Sequence, residues 1–188
     1  MATQSIIRPF PMLEAEQRER AEHRQLTILF TDLVDHADWA LRAGDTLAFR
    51  LLCAVGQTVE PAVVGHGGRV VKRLGDGLMA VFADPGAGVD AALEATAAVH
   101  DLEVAGYRPT LRAGLHTGRP RAFGDDYLGI DVNIAARVAH AAGPGEVLVS
   151  DGVRPHLDGD ELALRTQRRF AARGAPRDLK VHAVRRQP

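Results

Sequence analysis

VVKRLGDGLMAVF, Val70 to Phe82, read together with ILFTDLV, Ile28 to Val34, decides the fold of this chain. Each is an apolar, strand-like run that delivers an aspartate at its end, Asp32 in the earlier and Asp76 in the later. Val70–Leu74 and Leu78–Phe82 are separated by Gly-Asp-Gly and read as a β-hairpin, because glycine reaches positive φ cheaply and aspartate suits tight turns. The hairpin then presents Asp76 at its tip. Two carboxylates brought to neighbouring strand ends repel each other and need a compensating cation. A pair of Mg²⁺ or Mn²⁺ ions holding a nucleotide triphosphate is the leading candidate.

Working outward, Gln25–Val34 reads as a central strand preceded by an arm, residues 1–24, that carries the charged run EAEQRERAEHR and serves as a dispensable segment or a dimer contact. Leu41, Leu47, Leu51, Leu52, Val55 and Val59 recur at mostly helical spacing and predict one amphipathic helix from Asp38 to Pro61, stopped by the proline. Pro85–Leu102 predicts a second long helix. Thr110–Leu115 follows as a strand ending in an HTG turn, then a helix over Asp131–Ala142 ended by GPG, and a short strand at Glu146–Val149. Two further strands are expected at Thr166–Ala171 and Leu179–Val184, around a turn at Arg173–Arg177. This order fits an α+β fold, one sheet containing antiparallel pairs with flanking helices.

With 188 residues, 46% hydrophobic and 25% charged, the chain suits one compact domain without room for a second catalytic one. A net charge of −1 supplies no global basic field of the kind that binds nucleic acid or an anionic membrane. Cys53 is the single cysteine, so no intrachain disulfide forms and a reducing, cytoplasmic setting is expected. No run of about 18 apolar residues stands out as a membrane span, and no signal pattern opens the chain.

Each candidate residue also has a plain structural explanation. Asp76 suits a turn, Asp32 a strand-end cap, and Lys72 a snorkelling side chain or an ion pair across the hairpin. Asn133 and Arg137 share one helix face and suit contacts to a ribose and a phosphate, or simply a solvated face. Asp125 and Asp126 could complement the dipole of that helix. His116 has no partner histidine at metal-ligand spacing and reads as packed. A Ser/His/Asp hydrolase has little support, since no GxSxG elbow is present.

The order FTDLV, KRLGDGLMAVF, LRAGLHTG, DYLGIDVNIAARV, GEVLVSD resembles the class III adenylate/guanylate cyclase catalytic domain, of the bacterial single-domain adenylate cyclase type, over residues 25–185. The resemblance implies a ferredoxin-like, palm-type βαββαβ sheet extended at the C-terminus, and conversion of ATP to cyclic AMP with two Mg²⁺ or Mn²⁺ ions. It implies Asp32, Asp76 and the Leu33 backbone carbonyl as metal ligands, Lys72 and Asp126 as adenine contacts, and Asn133 and Arg137 as the residues that position the ribose and stabilise the transition state. Arg173, with Lys180 its rival, takes the place of a basic residue reaching the triphosphate. The family builds its site between subunits, so a homodimer with two composite sites is implied. In one respect the chain departs from the pattern: Asp35-His36-Ala37-Asp38 stands where the family has glycine and a small hydroxyl residue near the phosphates. Weak or absent activity in a nucleotide-binding or dimerisation module of the same fold is therefore the alternative. A polymerase-palm or diguanylate-cyclase-like phosphotransferase is a more distant one, as the chain has no GG[DE]EF-like hairpin.

Overall fold

The computed structural model describes residues 24–157, 159, 161–166, 170, 176 and 178–187. Most of the expected arm, and the Arg173–Arg177 turn except Pro176, lie outside them. The chain runs β1 (Leu26–Leu33), α1 (His36–Ala43), α2 (Asp45–Gly65), β2 (Arg69–Leu74), β3 (Gly77–Phe82), α3 (Pro85–His100) and β4 (Leu111–Gly118). It continues through β5 (Arg121–Phe123), β6 (Asp126–Leu128), α4 (Ile130–Ala141), β7 (Val147–Ser150), β8 (Leu162–Thr166) and β9 (Val181–Arg186). The main sheet has the order β2-β3-β1-β4-β7-β9-β8. Its strands pair antiparallel except β4 with β7. The first four strands and their helices form the βαββαβ palm, which β7, β9 and β8 extend, and β5–β6 is a separate ribbon.

Strand alternation sorts the sheet into two faces. Leu29 and Leu33 of β1 join Phe82 and Leu115 beneath Leu51, Val55, Val59 and Val63 of α2 and Val89, Ala92 and Val99 of α3. Leu26 and Ile28 lie on the other face with Met79 and Val81, against Ala135 of α4. Farther along, Ile134 and Val138 pack on Leu148 and Val181. Asp32 is in phase with Leu26 and Ile28, so it projects on the α4 side. There α4 lies directly on β4: a Cβ built on Gly114 would sit 2.0 Å from the Ala139 backbone nitrogen.

Several sequence expectations need correction. The single helix over Asp38–Pro61 is two helices, because Gly44 takes φ 84°, ψ 163° and breaks the run. The second continues through Pro61 to Gly65. Pro61 is exposed, and the Gln57 carbonyl that it leaves without an intrahelical partner lies on an exposed residue. By length and composition α2 could cross a membrane, with a mean hydropathy of 1.4, although polar residues interrupt its apolar run. Its buried face instead packs on α3 and the sheet. The HTG segment is not a turn but the end of β4, where Thr117 bonds Thr27 across the strands at 2.7 Å. The strand expected at Thr166–Ala171 lies mostly outside the described residues, and a strand not expected, Leu162–Thr166, pairs in register with β9.

The Gly114 contact is testable. Gly114→Ala should force α4 off the sheet and destabilise the protein by at least the ~1–3 kcal/mol typical of overpacked cores, lowering Tm in thermal melts. Gly65→Ala, at a position with open space around it, should instead leave Tm unchanged or raise it.

Candidate active site

The carboxylate end of the site is built by the hairpin closing on β1. Leu74 pairs with Gly77, leaving Gly75-Asp76 as a two-residue loop in which Gly75 takes φ 66°. A Cβ on Gly77 would lie 1.9 Å from the Thr31 carbonyl oxygen and 3.2 Å from the Asp32 Cα. Glycine there lets the loop come down beside Asp32. Burial, followed by repulsion from Asp32, pushes the Asp76 carboxyl above its usual range.

Two side chains answer that repulsion. Arg112, opposite Asp32 in the β1–β4 register, donates from Nε to Asp32 Oδ2 at 2.9 Å and again from Nη2. Its Nη1 donates to the His140 carbonyl of α4 at 3.2 Å. His36 Nδ1 lies 3.1 Å from Asp76 Oδ2. Sequence reading missed both. Arg112 left a signal, since a guanidinium inside the apolar strand LRAGL needs a buried partner. His36 left none beyond following the Asp32 run.

Asp35 takes φ 54°, ψ 20°, the left-handed conformation that glycine adopts freely and aspartate tolerates. The backbone path of a glycine at this position is thus retained, with an exposed carboxylate added. Trp39 of α1 stacks on Tyr107 with ring centroids 4.5 Å apart, bracing this loop. Burial, Asp35 and Asp76 raise the Tyr107 phenol above its ordinary value.

A second pair lies on β2 and the ribbon. Lys72 Nζ donates to Asp126 Oδ2 at 2.6 Å, and the Tyr127 N–H donates to Oδ1 at 2.7 Å. The lysine bond first, and the Tyr127 amide second, hold the Asp126 carboxyl below its usual range. Lys72 therefore pairs with the ribbon and not across its own hairpin. Arg69 steadies the ribbon, its guanidinium 5.4 Å from the Tyr127 ring centroid. Asp126 belongs to β6 and not to the start of a helix. The ribbon was invisible in sequence because each of its strands has only three residues.

Asn133 and Arg137 are exposed on α4, whose Ile134, Ala135 and Val138 are buried. Neither side chain has a hydrogen-bond or ionic partner among the described residues. The first turn of α4 is anchored at the Gly118 end of β4, where Asp131 accepts the Arg119 N–H at 2.6 Å. Asp32 faces Arg112 at the other end. Six residues of strand at ~3.3 Å each separate the two ends by about 20 Å. Leu33 is the last residue of β1. Lys180 is exposed just before β9, and its carbonyl accepts the Asp151 N–H. Arg173 lies outside the described residues.

Beside Asp76 the chain encloses only about 20 Å³, far too little for a nucleotide. Hollows of about 460 and 500 Å³ lie elsewhere, at the start of β1 and beside β8. No group of three or more His, Cys, Asp or Glu suited to a metal occurs among the described residues. Asp32 and Asp76 are nonetheless hard oxygen donors whose mutual repulsion a divalent cation would relieve, and such ions commonly take their other ligands from phosphates and water. Lys72 and Asp126 offer a donor and an acceptor side by side, as a purine edge requires.

The family model described as "Adenylate and Guanylate cyclase catalytic domain" matches residues 18–185. The chain is 30% identical over 184 residues to the pH-sensitive adenylate cyclase MT1302 of Mycobacterium tuberculosis, covering 87% of this chain and 41% of that protein. It is 32% identical over 149 residues to putative adenylate cyclase 3 of Rhizobium meliloti, covering 76% of this chain and 25% of that one. The chain thus spans less than half the length of these curated relatives. Among solved structures, the catalytic core of a rhodopsin-guanylyl cyclase with converted specificity, in complex with ATPαS, superposes with a TM-score of 0.80 at 19% identity, over 88% of this chain and 98% of that one. The adenylyl cyclase CyaB from P. aeruginosa gives 0.75 at 20% identity, over 87% and 95%. With its palm sheet matched in structure and nearly its whole length matched in sequence, the chain belongs to the adenylate and guanylate cyclase catalytic domain family, class III.

Proposed function

We propose that this chain is an adenylate cyclase that converts ATP to 3′,5′-cyclic AMP and pyrophosphate at composite sites between two copies. The observation that carries the substrate assignment is the 2.6 Å Lys72–Asp126 pair. Adenine presents an acceptor at N1 and a donor at N6, which an ammonium and a carboxylate complement. Guanine reverses both polarities, so a mispaired base would leave buried polar groups unsatisfied. The names of the adenylate cyclase relatives support the same reading.

In the reaction the ribose 3′-oxygen bonds to the α-phosphorus, the bond from that phosphorus to the β-bridging oxygen breaks, and pyrophosphate leaves. The proton of the 3′-hydroxyl is lost. Asp32, Asp76 and the Leu33 carbonyl would hold Mg²⁺ or Mn²⁺. Two such ions, when bound, supply acidification of the hydroxyl and neutralisation of the leaving group. Asn133 orients the sugar for in-line attack, and Arg137 stabilises charge developing on the α-phosphate. Arg173 or Lys180 contributes a further positive charge to the triphosphate.

The two-copy part follows from the separation along β4. Attack requires reacting atoms about 3–3.5 Å apart, whereas Asn133 and Asp32 of one chain stand near opposite ends of that strand. A second copy in reversed orientation would bring its α4 to the first copy's carboxylates, with two equivalent sites under C2 symmetry. Phe123, Leu128 and Ile130, exposed by 70%, 48% and 72% beside Asp126 and Asn133, supply an apolar surface for it to cover. A cytoplasmic setting belongs to the same proposal.

The second reading, a weakly active nucleotide-binding module, is favoured by one observation, the Asp35 carboxylate at the phosphate-side loop. Purified protein given ATP or GTP with Mg²⁺ or Mn²⁺ should make cyclic AMP from ATP in preference to cyclic GMP from GTP. No product under either metal would sink the cyclase reading. Lys72→Glu should lower kcat/KM for ATP by at least tenfold, about the ~1–3 kcal/mol of an unpaired buried polar group, and narrow the preference over GTP. Asp35→Gly should lower KM for the metal–ATP complex, and an unchanged KM would show that its charge is not felt by the phosphates.

Asp76 yields a stability test. Its folded-state pKa is raised, so as pH rises the unfolded chain gives up this proton first, and the charged pair costs stability on passing upward through the folded-state value. Without metal, Asp76→Asn should raise Tm at neutral pH and lose that advantage below the carboxylate range. Added Mn²⁺ should stabilise the wild type and not the variant.

A further inference from the structure

His116 belongs to β4 and is only 8% exposed. Its Nδ1 lies 2.7 Å from the Ser150 Oγ, and its Nε2 lies 3.3 Å from Asp131 Oδ1. Burial lowers the imidazole pKa against the opposing pull of Asp131, which favours the neutral ring with one proton. Because the Asp131 carboxylate can only accept, that proton sits on Nε2 and the Ser150 hydroxyl donates to Nδ1. Serine, histidine and aspartate in line suggest a hydrolase, but Ser150 is fully buried and no substrate reaches it. The proton chain ends elsewhere, on the first turn of the helix that carries Asn133 and Arg137.

Apart from Val132, which packs against the Leu26, Ile28, Met79 and Val81 cluster, that first turn has few attachments. Gly129 precedes the helix without a side-chain cap, and Ile130 is exposed. Asp131 supplies the attachment with both oxygens: Oδ1 takes the His116 proton, and Oδ2 takes the Arg119 N–H at 2.6 Å. A Cβ on Gly118 would stand 2.3 Å from the Asp131 Cγ, so the carboxylate occupies space that a glycine leaves open. At the other end, close packing of Gly114 on Ala139 and the Arg112 bond to the His140 carbonyl fix the last turn. The last turn is thus clamped by packing and a backbone hydrogen bond, and the first, two residues from Asn133, by the two Asp131 bonds together with Val132.

We propose that Asp131, held by His116 and the Arg119 amide, is a positioning residue that fixes the first turn of α4 and thereby aims Asn133 and Arg137 at the nucleotide. This rests on the cyclase reading. Asp131 touches no substrate. Its loss therefore acts on the geometry of the transition state and leaves base recognition through Lys72 and Asp126 intact.

Asp131→Ala should lower kcat by about 10- to 100-fold, as a displacement of roughly 1 Å does at a preorganised site, with KM for ATP within about threefold. Asp131→Asn should restore most of kcat. Its amide oxygen can take the Arg119 N–H while its NH₂ donates to Nε2, once the His116 proton moves to Nδ1 and toward Ser150. Gly118→Ala should reproduce the kcat loss by expelling the carboxylate, and the Gly118→Ala/Asp131→Ala double variant should be no worse than Asp131→Ala alone. Hydrogen exchange gives a readout independent of activity: amides 130–137 should exchange faster in Asp131→Ala while those of β4 do not. Unchanged kcat in Asp131→Ala, multiplying losses in the double variant, or unchanged exchange in α4 would overturn the proposal. A wild type that makes no cyclic nucleotide would overturn the cyclase reading instead, and the exchange comparison then decides the anchor by itself.

Discussion

Repulsion between Asp32 and Asp76 is the constraint around which the carboxylate end of this molecule is arranged. Folding brings them together because β1 and β3 are neighbours and because Gly77 lets the hairpin close onto the Thr31–Asp32 backbone. Burial of Asp76 first, and the nearness of Asp32 second, raise the Asp76 pKa. Arg112 and His36 reduce the repulsion from opposite sides, one from the neighbouring strand and one from the first turn of α1. Under the proposed function, a divalent cation would compete with Arg112 and His36 for these two carboxylates.

Strand β4 carries that arrangement to the rest of the site. Every second residue from Arg112 faces α4: Arg112 toward Asp32 and the His140 carbonyl, Gly114 against Ala139, His116 and Gly118 against Asp131. One strand thus holds the carboxylate end at Arg112 and, six residues on at Gly118, the first turn of the helix that bears Asn133. The length of β4 keeps Asp32 and Asn133 of one chain apart. Lys72 and Asp126, on β2 and the ribbon, form a second pair without any hydrogen bond or ion pair to the carboxylates among the described residues.

The parts of this arrangement legible in sequence were those that depend on local chemistry. Alternating apolar runs with glycine turns marked β1 and the β2–β3 hairpin, and the hairpin placed Asp76 at its tip as expected. Helical spacing marked α4 and its Asn133–Arg137 face. What escaped depended on contacts distant in sequence. The partner of Asp32 lies 80 residues away and no periodicity announces it, and Asp126, 54 residues from Lys72, was coupled to it by the family resemblance alone. The two α2-region helices merged in sequence because Gly44 breaks the backbone while the apolar spacing continues across it. The β5–β6 ribbon is too short for alternation to register, and His116 read as merely packed because Asp131 and Ser150 converge on it only after folding.

The composite site is tested most directly by complementation. Asp32→Ala removes one half and Arg137→Ala the other, so each variant alone should be nearly inactive. Mixed in equal amounts and allowed to exchange subunits, half of the dimers carry one of each chain and hold one intact site out of two. Activity should therefore recover to about a quarter of wild type. Verified heterodimers with no more activity than the separate variants would contradict a site shared between two copies.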